Sequence, residues 1–479
     1  MNAICVQDVS KSYGKELALD HVSFSVAAGQ VFGLIGPDGA GKTSMYRILC
    51  SLLLPASGTC SIDGLNVVQQ ASEVRRRIGY MPSKFSLYQD LTVEENLQFF
   101  ATLFATSIEE GYDSIRMIYS QIERFRHRKA GALSGGMKQK LALCCALIHS
   151  PSVLLLDEPT TGVDPVSRKE FWQMLGMLKE DGITILASTP YLDEVRCCEQ
   201  VAFLDRGKIR GIGTPDEILT EFAYVFNPQP SAQRKTVAGS GENVIEVSHL
   251  VKAFGSFRAV DDISFSVKRG EIFGFLGANG AGKTTAMHML TGLNQPTSGT
   301  GFVAGFDIRT EHEKIKKCIG YMSQKFSLYE DLTVAENIRL FGGIYGMADA
   351  EISQQTEDLL HKLNFTARRD TQVGSLPLGW KQRLAFSVAI FHHPQIVFLD
   401  EPTGGVDPAT RQQFWDLIYD AAQQGITIFV TTHYMDEAER CDRVSIMVDG
   451  KIRAMGTPDD LKQEFGQPDI DHVFTLLAR

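Results

Sequence analysis

Two stretches of this chain, 241 residues apart, obey the pattern G-x-x-x-x-G-K-[ST]: Gly36-Pro37-Asp38-Gly39-Ala40-Gly41-Lys42-Thr43 and Gly277-Ala278-Asn279-Gly280-Ala281-Gly282-Lys283-Thr284. Each follows a short apolar run, Val31-Phe32-Gly33-Leu34-Ile35 or Ile272-Phe273-Gly274-Phe275-Leu276. A buried strand, a glycine-rich turn and a helix start in that order form a phosphate-binding loop. Glycines let backbone N–H groups curl around phosphate oxygens, and the helix that follows offers its positive dipole end. Lys42 and Lys283 can reach the β- and γ-phosphates, and the hydroxyls of Thr43 and Thr284 can hold Mg²⁺. One such loop could arise by chance; two in register could not. The chain is expected to bind nucleoside triphosphate twice, through these loops and the adjoining Ser44 and Thr285.

The loops belong to a longer repeat. Ser23-Phe24-Ser25-Val26 returns as Ser264-Phe265-Ser266-Val267 and Ile78-Gly79-Tyr80-Met81 as Ile319-Gly320-Tyr321-Met322, both at the same offset of 241. Asp157-Glu158-Pro159-Thr160 returns as Asp400-Glu401-Pro402-Thr403 at 243, so each copy is a whole domain. We expect a first domain at 1–222, a linker at 223–243 rich in Pro, Gly and Ser (Pro228, Pro230, Ser231, Gly239, Ser240, Gly241), and a second domain at 244–479. Val22, Phe24 and Val26 alternate as in a half-buried strand, as do Ile263, Phe265 and Val267. A helical stretch follows from about Glu94 to Arg128 and from about Ala335 to Ala367. Continuous apolar runs such as Val153-Leu154-Leu155-Leu156 suit a parallel sheet covered on both faces. The expected class is α/β: two tandem P-loop NTPase domains, each with a parallel-sheet core, a small antiparallel β subdomain and a helical lobe.

Composition narrows the function. A formal net charge of −10 disfavours nucleic acid as the main partner. The nine cysteines contain no C-x-x-C pair, and His312-Glu313 fails as H-E-x-x-H because Lys316 holds the closing position. No apolar run reaches the roughly 18 residues needed to cross a bilayer, and the N-terminus lacks a signal-peptide layout. The expectation is a soluble, cytoplasmic chain whose membrane role, if any, comes through partners. Arg124, Arg126, Arg128 and Lys129 read as a solvated basic face, and His392-His393 as structural.

Two apolar strands end in paired carboxylates, Asp157-Glu158 and Asp400-Glu401. Beside a P-loop, the first of each pair can hold Mg²⁺ through water and the second can polarise an attacking water. Leu133-Ser134-Gly135-Gly136-Met137-Lys138-Gln139-Lys140 resembles the signature of ATP-binding cassette (ABC) proteins. Thr161-Gly162-Val163-Asp164 resembles that family's D-loop, Thr432-His433 its switch histidine, and Gln324 its Q-loop glutamine, which the resemblance places near Mg²⁺. Tyr13 and Phe254 match the aromatic that stacks on adenine. The resemblance spans nearly the whole chain. The runs at 84–88 and 325–329 and Leu378-Gly379-Trp380-Lys381-Gln382-Arg383 are similar to tandem ATPase subunits of ABC-2-type exporters, often multidrug systems.

In such proteins two domains close head to tail, so each ATP meets the P-loop of one and the signature of the other. That logic makes the two sites unequal. The second-domain site would use Lys283, Thr284, Gln324, Asp400, Glu401 and His433, opposed by Ser134-Gly135-Gly136. The first-domain site keeps Lys42, Thr43, Asp157 and Glu158. It has Ser83 where the copy has Gln324, Pro190 where the copy has His433, and Pro377-Leu378-Gly379 as its opposing signature. Proline has no N–H and no side-chain donor, so the first site is expected to hold ATP and hydrolyse it slowly.

Phe85, Leu87, Tyr88, Phe99 and Phe100, with Phe326, Leu328, Tyr329 and Phe341, fall where ABC transporters receive a short helix from the membrane subunit; about half could instead be core. The resemblance implies an ATP- and Mg²⁺-dependent energy-coupling subunit on the cytoplasmic face of the inner membrane. It would drive two membrane-spanning permease subunits, with room for a periplasmic or accessory export protein. The alternatives are a soluble tandem-cassette ATPase acting on ribosomes or nucleic acid, and an importer ATPase.

Overall fold

A computed structural model describes residues 2–14, 16–83, 86–226, 241–324 and 328–477. Two compact units emerge, one of residues 1–229 with 405–410, the other of 230–404 with 411–479. Short helix Ala223–Phe226 falls inside the segment expected as linker, and residues 227–240 of that segment lie outside the described residues.

In the first unit the strands are β1 (Asn2–Tyr13), β2 (Glu16–Ala27), β3 (Val31–Ile35), β4 (Ser57–Ile62), β5 (Leu65–Asn66), β6 (Ile78–Met81), β7 (Val153–Asp157), β8 (Thr184–Ser188), β9 (Gln200–Asp205) and β10 (Lys208–Gly213). They make an antiparallel sheet, β2-β1-β4-β5, and a six-stranded sheet, β10-β9-β3-β8-β7-β6. Within the latter β6, β7, β8, β3 and β9 run parallel, and β10 returns antiparallel on β9. The second unit repeats this with β11 (Asn243–Phe254), β12 (Phe257–Lys268), β13 (Ile272–Gly277), β14 (Ser298–Val303), β15 (Phe306–Asp307), β16 (Ile319–Met322), β17 (Ile396–Asp400), β18 (Thr427–Thr432), β19 (Arg443–Val448) and β20 (Lys451–Gly456), in orders β12-β11-β14-β15 and β16-β17-β18-β13-β19-β20. The α/β class with a parallel core and a separate antiparallel sheet is therefore as expected.

Burial on both faces explains the unbroken apolar runs. In β7, Leu154 and Leu156 pack into the core beneath the helices, whereas Val153 and Leu155 pack into the core shared with the antiparallel sheet. In β17, Val397 and Leu399 face one way and Ile396 and Phe398 the other. Alternation in β2 is equally clean, with Val22, Phe24 and Val26 buried between exposed neighbours.

The single helical stretch expected in each unit is in fact two helices followed by a 3-10 turn: Val93–Leu103 and Ile108–Tyr119, then Val334–Ile344 and Asp349–Lys362. The breaks have local causes. Ala105 (φ 57°) and Gly346 (φ 80°) turn left-handed just past the first helix of each pair. In the first unit Ser107 then caps the new helix by accepting from the Glu110 N–H. Both lobes open on a capping box, Thr92 with Glu95 and Thr333 with Glu336.

Candidate functional site

Parallel strands put their carboxyl ends on one edge of the sheet, where ligands of such sheets bind. In the first unit the P-loop leaves β3, Asp157-Glu158 ends β7, and Ser188 ends β8, with Asp157 opposite Ser188 in register. In the second, β13, β17 and β18 do the same, with Asp400 opposite Thr431.

The glycines of the loops are needed for space as well as for backbone shape. Gly41 (φ 109°) and Gly282 (φ 105°) precede helices Lys42–Leu49 and Lys283–Leu290, and a Cβ there would lie 2.4 Å from the Ala18 carbonyl oxygen or 2.2 Å from that of Ala259. At Gly36 a Cβ would fall 1.9 Å from the Leu204 carbonyl oxygen, and at Gly277 2.6 Å from that of Met447. Gly39 and Gly280, also left-handed, face open space beside Asp38 and Asn279. The loop therefore packs on β9 or β19 on one side and leaves its tip free.

Lys42 Nζ donates to the Gly36 and Pro37 carbonyls (2.7 and 3.1 Å), and Lys283 Nζ to those of Gly277 and Ala278 (2.7 and 3.1 Å). Each ammonium also lies near its glutamate, 3.6 Å from Glu158 Oε1 and 3.4 Å from Glu401 Oε1. Thr43 Oγ1 donates to Asp157 Oδ2 at 2.9 Å and Thr284 Oγ1 to Asp400 Oδ1 at 3.1 Å. A hydroxyl and a carboxylate oxygen this close are the hard donors that Mg²⁺ accepts beside phosphate oxygens and water, so these residues fit that ion. Burial pushes Asp157 and Asp400 up, while hydrogen bonds from Ser188 and Thr43, or Thr431 and Thr284, oppose it.

Glu158 (φ 51°) and Glu401 (φ 48°) are left-handed although neither is glycine. Such a backbone costs on the order of 1–2 kcal/mol, and strand-end partners hold it. Glu158 N–H donates to Ser188 Oγ (2.9 Å), and Glu401 N–H to both the carbonyl and the Oγ1 of Thr431 (3.1 Å each).

Beyond this frame the units diverge. Gln324 Nε2 donates to Glu401 Oε2 at 2.8 Å, and buried His433 places Nδ1 3.1 Å from the same oxygen. Burial pushes the Glu401 carboxyl up, but His433 and the Lys283 ammonium outweigh it and hold it at about 2. In the first unit Pro190 is buried at the histidine's position, Ser83 is exposed, and Glu158 has Lys42 Nζ at 3.6 Å and a long hydrogen bond from Thr161 Oγ1 (3.4 Å). Burial wins there, and the Glu158 carboxyl is pushed up. Two glutamates with the same backbone thus have opposite electrostatics.

Ser134 caps helix Gly135–Leu147, accepting from Met137 N–H, whereas Pro377 precedes helix Leu378–Ala389 with no side-chain cap. Among the described residues no hydrogen bond links Ser134, Gly135 or Gly136 to the P-loop of their own unit. A Cβ on Gly136 would instead meet Ser167, at 2.7 Å. Tyr13 and Phe254 are about half exposed at the ends of β1 and β11, with the Tyr13 hydroxyl 3.3 Å from Ser44 Oγ. Leu87 and Leu328 are core, Phe100 and Phe341 are partly buried against it, and Tyr88, Phe99 and Tyr329 are exposed. Phe85 and Phe326 lie outside the described residues, as do parts of the two matching runs they belong to. Arg124 and Arg128 flank the ring of Phe125, and His392 donates to the Ile319 carbonyl while stacked on Tyr345.

Sequence reading missed Ser188 and Thr431, which hold both the strand-end aspartate (2.9 and 2.6 Å) and the glutamate N–H. Their signal was a hydroxyl residue two places before Pro190 and His433 in both copies.

Fold and site define a P-loop nucleoside triphosphatase, present twice. The family model of the ABC transporter matches residues 19–161 and again 260–404. A probable multidrug ABC transporter ATP-binding protein, YbhF of Escherichia coli K12, is 39% identical over 93% of this chain and 92% of its own. The linearmycin resistance ATP-binding protein LnrL of Bacillus subtilis is 36% identical over 47% of this chain and 72% of its own. A solved ATP binding subunit of an ABC transporter is 31% identical, covering 46% of this chain and 93% of that one, with a TM-score of 0.43. The chain belongs to the ABC transporter family and is an ATPase. No helix among the described residues is long and apolar enough to cross a membrane.

Proposed function

We propose that this chain is the energy-coupling subunit of an ABC-2-type exporter of drug-like or other small molecules, with one hydrolytically competent ATP site and one degenerate one. The observation that carries the asymmetry is the pair of glutamates. Glu401 is kept ionised among Lys283, His433 and Gln324, whereas Glu158 has lost two of those three partners and its carboxyl is pushed up. A general base must be ionised before it can take a proton from water. Glu401 is ready for that at neutral pH, with Gln324 and His433 positioned around the attacking water and the γ-phosphate. Among the described residues, buried His433 has no aligned hydrogen-bond partner on Nε2, which suits a group awaiting a phosphate oxygen.

Thr284 and Asp400 would hold Mg²⁺ at the competent site, with Gln324 nearby, and Thr43 and Asp157 at the other. Bound Mg²⁺ would offset phosphate charge. Gly277, Asn279, Gly280, Gly282 and Thr285, with Gly36, Asp38, Gly39, Gly41 and Ser44, would wrap the phosphates; Tyr13 and Phe254 would stack on adenine. In this reading each ATP would be completed by the other unit's signature, and Ser134, Gly135 and Gly136 would serve the competent site. Domains are read at 1–222 and 244–479 around a linker.

Multidrug and resistance functions in the names of relatives that match 93% and 47% of this chain support export, as does a Nod factor export ATP-binding protein of Burkholderia orbicola, 37% identical over 48% of this chain. Exposed Tyr88, Phe99 and Tyr329 suit the receipt of a helix from each of two membrane-spanning permease subunits, which would hold the chain at the cytoplasmic face of the inner membrane. Two measurements test this. Glu401→Gln should abolish ATP turnover and Glu158→Gln should spare most of it; the reverse would exchange the two sites. Purification from detergent-solubilised membranes should recover polytopic permeases at about two per chain. Recovery with ribosomes or nucleic acid alone would remove the transporter reading.

A further inference from the structure

One fully buried carboxylate takes no part in the chemistry described so far. Glu437 lies on the short helix Met435–Ala438, just past the loop that carries His433. Its Oε2 accepts from Thr432 Oγ1 at 2.6 Å, and its Oε1 accepts from Thr403 Oγ1 and, at 3.4 Å, from Trp415 Nε1. Thr403 is two residues past Glu401, and Thr432 immediately precedes His433. Thr432 Oγ1 also accepts from the Tyr434 N–H at 2.9 Å, closing the backbone around the histidine. Arg411 lies alongside, its Nε 4.0 Å from Glu437 Oε1, bonded to Asp436 at 2.9 Å and set 4.5 Å over the Tyr434 ring. Thr403, Thr432, Trp415 and Glu437 are all fully buried, so water cannot stand in for a lost partner.

We infer that Glu437 is a positioning residue for hydrolysis: by accepting from Thr403 and Thr432 at once, it fixes the distance between the segment carrying Glu401 and the segment carrying His433. The inference rests on the reading of Glu401 and His433 given above. A carboxylate suits this task because both its oxygens accept, whereas a carboxamide offers one acceptor and one donor. The first unit holds the same clamp. Glu194 accepts from Thr160 Oγ1 at 2.7 and 2.8 Å and from Thr189 Oγ1 at 2.5 Å, with Arg168 over the Tyr191 ring at 4.0 Å. There, however, the clamped loop presents Pro190. The same fastening therefore bears on catalysis in one unit and on packing alone in the other, which separates the two roles.

The test is ATP turnover by the full chain, with melting temperature read in parallel. Glu437→Gln is expected to lower kcat on the order of 10- to 100-fold, the usual cost of a small misplacement, while KM stays within about twofold. Glu194→Gln should shift the melting temperature comparably and leave kcat within about twofold. Should Glu437→Gln fail to fold, Thr432→Val replaces it. Thr432→Val is expected to reproduce the loss of kcat and Thr432→Ser, which keeps the hydroxyl, to restore it. Equal kcat losses for Glu437→Gln and Glu194→Gln, or a Thr432→Val chain within about twofold of wild type, would overturn the inference while leaving the site reading intact. Full turnover by Glu401→Gln would instead remove the site reading, and this inference with it.

Discussion

Removing His433 should change the protonation of Glu401 more than any other single substitution. In the wild type, burial opposes the Glu401 charge, and His433 and Lys283 together overcome it, bringing the carboxyl to about 2 from an ordinary 4.5. His433→Ala leaves Lys283 and the Gln324 hydrogen bond on Glu401; Glu158, which has Lys42 and neither of the other two partners, shows the limit, where burial prevails and the carboxyl rises. The Glu401 carboxyl should therefore rise from about 2, and a full return to its ordinary 4.5 would be worth about 3 kcal/mol at roughly 1.36 kcal/mol per pH unit. The sign for stability follows. A carboxyl depressed in the folded chain contributes in full above its unfolded value and loses that contribution as pH falls through the folded one. For wild-type Glu401 the window runs from about 4.5 down to about 2. In the variant the folded value rises toward the unfolded one, so the window narrows from below and the stabilisation it carries shrinks. Infrared difference spectra of carboxyl protonation, with Glu401→Gln to assign the band, follow this without relying on residual activity. A Glu401 band that stays ionised down to about pH 3 in His433→Ala would show that Lys283 and Gln324 overcome burial without the histidine, and would refute the reasoning.

Two further outcomes test the frame around the site. Gly280→Ala faces open space and pays only for its left-handed backbone, about 1 kcal/mol, or a melting shift of roughly 2–4 °C. Gly282→Ala drives a Cβ to 2.2 Å from a backbone carbonyl and should cost several-fold more; equal shifts in calorimetry would contradict the packing described. Exposed His21 and Asp8 pair at 2.7 Å, and the second unit holds the same pair exchanged, His249 with Asp262 at 2.8 Å, all four left-handed. The bond to Asp8 raises the His21 pKa, so its contribution is present below about 6.5 and lost as pH rises past the folded value. Asp8→Asn should thus lower the melting temperature at pH 6 and not at pH 9, whereas the exchange Asp8→His with His21→Asp should be nearly silent at both.

Much of this protein is legible in its sequence because the information is local. A P-loop needs glycines at fixed spacings between a strand and a helix, so Gly36 to Thr43 and Gly277 to Thr284 announce themselves. Apolar runs ending in Asp-Glu specify strands buried on two faces, and the register of the repeat exposes Pro190 against His433 and Ser83 against Gln324. Local signals also set helix limits, yet the left-handed Ala105, which splits the first lobe, carries no sequence mark.

What chain pattern could not convey is which partners meet across separate strand ends. The opposite shifts of Glu158 and Glu401 depend on burial and on partners brought within 4 Å at the ends of β3 and β7, or of β13, β17 and β18. Likewise Glu194 and Glu437 read as ordinary acidic residues on short helices, and only the fold buries them against two threonines from different segments. Sequence by itself determined two nucleotide-binding units of one fold and their unequal inventory of side chains. Tertiary structure decided the electrostatic consequence, because a carboxylate's charge answers to every dipole and ion the fold gathers round it, wherever in the chain those groups began.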